Sequence, residues 1–370
     1  MISCVKSDLP DPVEYFDLVR KAHRQNHYSN FGALSEAFST GLLREFGLEG
    51  EACVVCNSAT AGLSAALLAS GCSGAVLVPG FTFPATFGAV RAAGLRPLIM
   101  DVAQSNWAIA ADDLDQTLAR TGAEAVILVS PFGLALNFTE HIRVCQRRRV
   151  TVVIDSAAGL GGVRLNNCAL PDVYEVYSLH ATKPLGVGEG GAVFCTPDRL
   201  EAIKSALNFG LPNAGAPPGP PWGFNGKLSE LHAAVGLAQL QRYKPILEGR
   251  QRFAALYQST FVDFPVSFPL DLPISSPWQV FPLLMPSEEA LFAVSDALHK
   301  AGIEVRRYYR PSLSKWRGAD VVGPCFVSEM LAMRMIALPI RNIADSAAAE
   351  PILGPITAAF QMVFESPANA

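Results

Sequence analysis

Lys183 has the surroundings that most strongly suggest chemistry. It ends the run SLHATK at residues 178–183 and is followed by GEGG at residues 188–191, directly after a predicted β-strand. A lysine amine can form a Schiff base with a carbonyl compound, and some enzymes use that bond for covalent catalysis. The alternative is an ordinary loop lysine. Neighbouring segments must therefore show whether Lys183 belongs to a site.

A second segment could hold an anionic group. Residues 57–62, NSATAG, lie between an apolar strand-like run and a predicted helix. Small side chains allow the backbone to approach a phosphate, and a helix N-terminus favours negative charge. The alternative is a simple helix cap, because Ser and Thr are favoured there.

Asp155 and Phe83 each follow a predicted strand. Asp155 ends the apolar run 150–155, and the carboxyl ends of parallel strands are where α/β sheets place ligands. A carboxylate there could pair with a protonated pyridine nitrogen and keep the ring an electron sink. A helix cap or a metal carboxylate is equally compatible with the motif. Phe83 could stack on a flat ring or simply be a core aromatic residue.

Length and composition limit the class of protein. A chain of 370 residues favours two domains, or one large and one small. With 50% hydrophobic and 17% charged residues, the chain can bury a large core and further area between subunits. The net charge of −4 gives no sign of a nucleic-acid surface. Glycines and prolines interrupt the uncharged segment 52–90, and the N-terminus lacks an apolar signal. We expect a soluble cytoplasmic protein with no membrane span.

The eight cysteines are too sparse for a disulfide scaffold. Cys53 and Cys56 have metal-ligand spacing, but no second pair of cysteines or histidines accompanies them. We interpret them as buried thiols in a strand and predict no metal site.

Apolar runs alternate with helix-length segments between residues 52 and 195. Because the runs are rich in Val, Ile and Leu and nearly continuous, they predict a largely parallel sheet covered on both faces. Strands are predicted at residues 75–78, 97–101, 125–130, 150–155, 173–179 and 191–195, and helices at 60–70, 84–93, 111–121 and 138–146.

The later part of the chain predicts a second, smaller α/β unit. Helices are predicted at residues 228–243 and 288–301 and a strand at 303–309. We expect a large domain of residues 1–245 and a small domain of residues 246–370. The segment 211–222 lies before the first of these helices. Its five prolines exclude regular structure there: Pro212, Pro217, Pro218, Pro220 and Pro221.

Together these motifs resemble the DegT/DnrJ/EryC1/StrS family of sugar aminotransferases, which depend on pyridoxal 5′-phosphate (PLP). The lysine run is similar to the family pattern Ser-Phe-His-x-Thr-Lys with its following Gly-Glu-Gly-Gly, except for Leu179. Residues 58–60 correspond to Ser-Gly-Thr, and residues 82–86 to Thr-aromatic-x-Ala-Thr. Residues 223–231 are similar to Gly-x-Asn-x-Arg-Met-x-Glu-Leu. The resemblance covers about residues 28–239 and thins beyond. It implies the fold-type-I architecture of aspartate aminotransferase.

The resemblance also implies roles for single residues. Lys183 would form the internal aldimine and then move protons as acid and base. Asp155 would bind the pyridine nitrogen, and Phe83 would stack on the ring. Asn225 would reach the phosphate of the neighbouring subunit, so the resemblance implies a homodimer with shared sites. The phosphate would be held within one chain by Ala59, Thr60 and Ser178.

Three residues depart from the family pattern. Ala158 stands where the family has glutamine or histidine near the phenolic oxygen of the cofactor. Ala59 replaces a glycine, and Lys227 replaces an arginine whose bidentate fork a lysine cannot reproduce.

The expected activity is transfer of an amino group, with glutamate as donor, to a nucleotide-linked keto sugar by a ping-pong mechanism. Lys183 argues against the family's sugar dehydratases, which have histidine at this position. Two alternatives stay open: a non-sugar keto substrate, as in the aminohydroxybenzoate synthases, and a cofactor-binding relic. Arg306, Arg307 and Arg310 could either meet a diphosphate or be solvated.

Overall fold

The computed structural model describes residues 1–212, 219–269 and 276–365. Short apolar segments form its strands, and most of their side chains are buried, as expected for a sheet that is covered on both faces. The strands are β1 (Ala52–Cys56), β2 (Ala75–Pro79), β3 (Arg96–Met100), β4 (Ala125–Val129), β5 (Thr151–Asp155), β6 (Val173–Ser178), β7 (Gly191–Cys195), β8 (Val280–Leu284), β9 (Asp320–Val321) and β10 (Met335–Pro339).

The strands form one large sheet and one small sheet. The eight-stranded sheet has the order β1-β7-β6-β5-β4-β2-β3-β9, and β8 pairs with β10 in the second sheet. From β6 to β9 the neighbouring strands are parallel, whereas β7 runs antiparallel to both β1 and β6. The predicted fold class, a large and mostly parallel sheet with helices, is confirmed.

Helices cover both faces of the large sheet. Side chains of α3, α4 and α7 pack in one core cluster with Val153, and those of α2, α5, α6 and α8 pack in another with Val152 and Ile154. Successive side chains of a strand point to opposite faces of the sheet. In β5, Val153 therefore faces one layer of helices, and Val152 and Ile154 face the other. The helices are α1 (Pro12–Gln25), α2 (Ala33–Phe46), α3 (Ala59–Ser70), α4 (Pro84–Ala92), α5 (Ala111–Thr121), α6 (Thr139–Arg148), α7 (Pro197–Ala206), α8 (Glu230–Phe261), α9 (Glu288–Lys300), α10 (Phe326–Arg334) and α11 (Glu350–Phe364).

The predicted strand at residues 303–309 is wrong. Its backbone divides its hydrogen bonds between two partners: Glu304 N donates to Ile2 O, and Arg306 exchanges bonds with Ala337. No continuous ladder therefore forms, only isolated bridges.

Other boundaries differ less. Helix α8 begins at Glu230, where the Ser229 hydroxyl accepts a hydrogen bond from His232 N at 3.2 Å, and it continues past Pro245 to Phe261. The division at residue 245 stays a prediction. Two of the prolines between residues 211 and 222, Pro217 and Pro218, lie outside the described residues.

Among the described residues, one segment, Ala347–Phe364, is long and apolar enough to cross a membrane by length and composition. Its Ile352, Ile356 and Phe360 are buried in the main core cluster, and α11 packs against α9. Since 28% of the segment is buried, we interpret it as a helix that packs on the core with one face.

Candidate active site

A cavity of about 380 Å³ opens at the carboxyl ends of the central strands. The sheet topology explains its position, because β4, β5 and β6 all end there and α3 and α4 begin there. Of the residues predicted for the site, it is lined by Ala59, Thr60, Phe83, Asp155, Ser178 and Lys183.

Asp155 lies at the end of β5, between Val129 of β4 and Val176 of β6. Its carboxylate accepts hydrogen bonds from the Thr86 hydroxyl at 2.8 Å and from Ala157 N at 3.2 Å. Burial raises the pKa of Asp155, while these two donors and the Lys183 amine act in the opposite direction. The site therefore offers a buried carboxylate that a cation in the cavity would stabilise.

Thr86 is a site residue for which the sequence predicted no role. It lies in the segment 82–86 of the family pattern, but only Phe83 was given a function there. The Thr82 and Thr86 hydroxyls are 2.9 Å apart, so they form a short chain that leads to Asp155. The two threonines at the ends of the segment 82–86 were the available signal.

Lys183 projects its amine into the cavity. Its backbone N–H donates to His180 O at 2.8 Å and fixes the loop. The amine donates to Gln279 Oε1 at 2.9 Å. Part of the side chain is open to the cavity, but the amine lies deep, and burial lowers the pKa of Lys183 from 10.5 to about 8, against the attraction of Asp155.

The pKa near 8 leads to the first prediction. Only the neutral amine attacks a carbonyl, so roughly a tenth of Lys183 is reactive at pH 7, far more than for a free lysine. We expect the rate at which cofactor-free protein captures PLP to rise with pH, with a midpoint near pH 8. Stopped-flow absorbance measures this rate. A midpoint near the ordinary value of 10.5 would contradict it.

The start of α3 fits a phosphate group. Ala59 and Thr60 are its first residues, and N–H groups in a first helical turn have no partner within the helix. Ser58 caps this helix, because its hydroxyl accepts from Ala61 N at 3.1 Å. A side chain at Gly191 would place its Cβ 2.6 Å from the Ser58 backbone, so this close approach requires glycine.

The remaining lining also fits PLP. Phe83 is 56% exposed and offers a ring face to a planar group. Its ring meets Tyr309 edge-on at 6.2 Å, and Tyr309 in turn stacks on Phe132 at 5.6 Å. An amine, a buried carboxylate, a helix N-terminus and an aromatic wall match the aldehyde, ring nitrogen, phosphate and ring of PLP.

Asn225 is absent from the described lining of this cavity. Its backbone carbonyl accepts a hydrogen bond from the Asn57 side chain at 3.1 Å. Nearby, the Lys227 amine donates to Asn208 Oδ1 at 2.8 Å and lies over the Phe209 ring. A role for Asn225 in the site of a second subunit stays a prediction.

The three arginines of the later segment separate in the structure. Arg307 and Arg310 both pair with Glu288, at 3.1 and 3.2 Å. Arg306 pairs with Glu304 at 3.1 Å and lines the cavity. Of the three, Arg306 is the arginine in the described lining of the cavity.

Cys53 and Cys56 are buried in β1. Burial raises the pKa of both thiols, that of Cys56 to about 12. Among the described residues there is no group of three or more His, Cys, Asp and Glu that could hold a metal ion.

The chain is similar to known aminotransferases over almost its whole length. The model of the DegT/DnrJ/EryC1/StrS aminotransferase family matches residues 12–356. A dTDP-4-amino-4,6-dideoxy-D-glucose transaminase of Shigella dysenteriae is 26% identical, covering 96% of this chain and 98% of that protein. Protein Rv3402c of Mycobacterium tuberculosis is 28% identical, with 92% and 86% covered.

Solved structures agree with this. A DegT DnrJ EryC1 StrS aminotransferase from Brucella abortus superposes with a TM-score of 0.83 at 26% identity, covering 94% of this chain and 95% of that one. The chain therefore belongs to the DegT/DnrJ/EryC1/StrS aminotransferase family, and it is a PLP-dependent enzyme.

Proposed function

We propose that this enzyme transfers the amino group of glutamate to the keto carbon of a nucleotide-linked sugar, by a ping-pong mechanism. The observation that carries the proposal is the meeting of Lys183 and Asp155 in one cavity, where burial favours the neutral amine of Lys183. The name of the Shigella relative supports a nucleotide-linked sugar as acceptor.

The proposal assigns a task to each predicted site residue. PLP, when bound, supplies an electron sink for the bonds at the substrate carbon. Lys183 Nζ would hold the cofactor and, once the amino donor displaces it, would move the proton between the substrate carbon and the cofactor carbon, and Asp155 would hold the ring nitrogen protonated. Phe83 supports the ring. The phosphate is held by Ala59, Thr60 and Ser178, and by Asn225 of a second copy of the chain.

The proposed architecture is a cytoplasmic homodimer with shared sites and domains at residues 1–245 and 246–370. The low share of charged residues, 17%, supports burial between subunits.

Product analysis tests the function. The PLP-loaded enzyme is incubated with glutamate and, separately, with nucleotide-linked keto sugars or with non-sugar aromatic keto compounds, and aminated products are identified by mass spectrometry. We expect an amino sugar nucleotide with equimolar 2-oxoglutarate. Amination of only the non-sugar compounds would refute the acceptor, and a cofactor band that responds to no amino donor would leave a cofactor-binding relic.

A second prediction concerns Arg306. Because Arg306 lines the cavity, we expect its guanidinium to bind an anionic group of one substrate, a carboxylate or a phosphate. A hydrogen bond to a charged group contributes about 1.5–3 kcal/mol, so Arg306→Met should raise the KM for that substrate roughly 10-fold to 100-fold, with a smaller change in kcat.

Arg310→Met is the matched control, because Arg310 pairs with Glu288 and is absent from the described lining. Steady-state kinetics with each substrate varied in turn gives both values. Equal KM values for the two variants would exclude Arg306 from substrate binding.

A further inference from the structure

Gln279 is the partner of the Lys183 amine, although nothing in the sequence motifs points to it. Its Oε1 accepts from Lys183 Nζ at 2.9 Å, and its Nε2 lies 3.5 Å from both Thr182 oxygens. An ammonium group only donates hydrogen bonds, so the amide oxygen must face it. In the described lining, Gln279 carries the one side-chain amide. Ala158 also lines the cavity and stands where the family pattern has glutamine or histidine.

The backbone that carries Gln279 is held in an unusual conformation. The preceding residue, Trp278, is fully buried and has φ of +52°, in the left-handed region that a bulky residue rarely adopts. Such a conformation persists where the surrounding contacts impose it. The position of the Gln279 side chain therefore depends on what holds this turn.

Arg250 of α8 holds the turn. Its guanidinium donates to Pro277 O at 3.2 Å, to Trp278 O at 2.8 and 2.6 Å, and to Gln279 O at 2.9 Å. The side chain is buried, and burial lowers the pKa of Arg250 to about 10. Burial of a cation costs free energy unless hydrogen bonds or an opposite charge compensate for the lost water. Here the hydrogen bonds go to three successive carbonyl groups.

We propose that Gln279 is a positioning residue for Lys183 and that Arg250 acts through it. The amide oxygen keeps Lys183 Nζ in the cavity whenever the amine is free, between one covalent attachment and the next. Because the amide is uncharged, it orients the amine while stabilising its protonated form less than a carboxylate would. This inference rests on the proposed role of Lys183 as the amine that captures PLP.

The pH dependence of PLP capture by cofactor-free protein tests the role of Gln279. Gln279→Glu adds a negative charge beside the amine and should move the midpoint of capture upward by about one pH unit or more. Gln279→Leu should slow capture and amino transfer roughly 10-fold to 100-fold without raising the midpoint. The exposed Gln146→Glu on α6 is the matched charge control and should behave like the wild type.

The outcomes separate the two proposals. If wild-type protein captures no PLP, the proposed role of Lys183 fails. If it does capture PLP but Gln279→Glu keeps the wild-type midpoint, this inference is wrong and the function stands.

A double-mutant cycle tests Arg250. Arg250→Lys keeps the charge but cannot reach three carbonyls with a planar fork, so capture should slow roughly 10-fold. Arg250→Lys with Gln279→Leu should be no slower than Gln279→Leu alone. If the two substitutions slow capture independently, so that their fold-changes multiply in the double variant, Arg250 does not act through Gln279. Circular dichroism checks folding, and Arg250→Gln gives the same comparison if the lysine variant fails to fold.

Discussion

Lys183→Ala is expected to lose covalent PLP capture completely and to reduce amino transfer by about 10⁴-fold or more. The substitution removes both the attacking amine and the group that moves the proton, and general acid–base catalysis alone contributes about 10²–10⁴-fold. The visible absorbance of the loaded protein and the rate of product formation measure the two losses.

The fold should survive this change. The folded protein lowers the pKa of Lys183 from 10.5 to about 8, so below pH 8 the protonated amine is less stable there than in the unfolded chain. Between pH 8 and pH 10.5 the unfolded chain binds more protons at Lys183 than the folded protein does. The free energy of unfolding therefore rises with pH in this range. At pH 7, Lys183→Ala should therefore unfold at the same temperature or slightly higher. Full transfer activity in Lys183→Ala, with exposed Lys244→Ala as control, would refute the assignment.

Asp155→Asn is expected to keep the fold and some cofactor but to lose roughly 10²–10³-fold in transfer rate. An amide cannot hold a ring nitrogen protonated by charge, so the electron sink weakens. A graded comparison is available in Thr86→Val, which removes the 2.8 Å hydrogen bond to Asp155. That bond stabilises the carboxylate, so its loss should raise the pKa of Asp155 further. We expect the transfer rate to fall roughly 3-fold to 10-fold.

Single-turnover rates with glutamate measure these effects. We expect the wild type to be fastest, Thr86→Val to be slower and Asp155→Asn to be slowest. An Asp155→Asn enzyme that turns over like the wild type would remove Asp155 from the mechanism.

Features that depend on short stretches of chain were predictable from the sequence. The lysine loop, the start of α3 and the aspartate at the end of β5 each have a local signature, and the topology of a parallel sheet brings strand ends together. For this reason Lys183, Asp155, Ala59 and Thr60 line one cavity.

Contacts between distant segments were not predictable. Gln279 meets Lys183 across 96 positions of the chain, and Arg306 separates from Arg307 and Arg310 only through the placement of Glu304 and Glu288. The segment 303–309 has a strand-like sequence, but a ladder needs one continuous partner, which propensity does not reveal.

Reductive trapping tests the central claim most directly. PLP-loaded protein is treated with borohydride, which fixes a lysine–cofactor bond, and the modified peptide is identified by mass spectrometry, with and without prior addition of glutamate. We expect the modification on Lys183 and its loss after glutamate, because the donor displaces the lysine. Modification of a different lysine, or a Lys183 signal that glutamate leaves unchanged, would contradict the account.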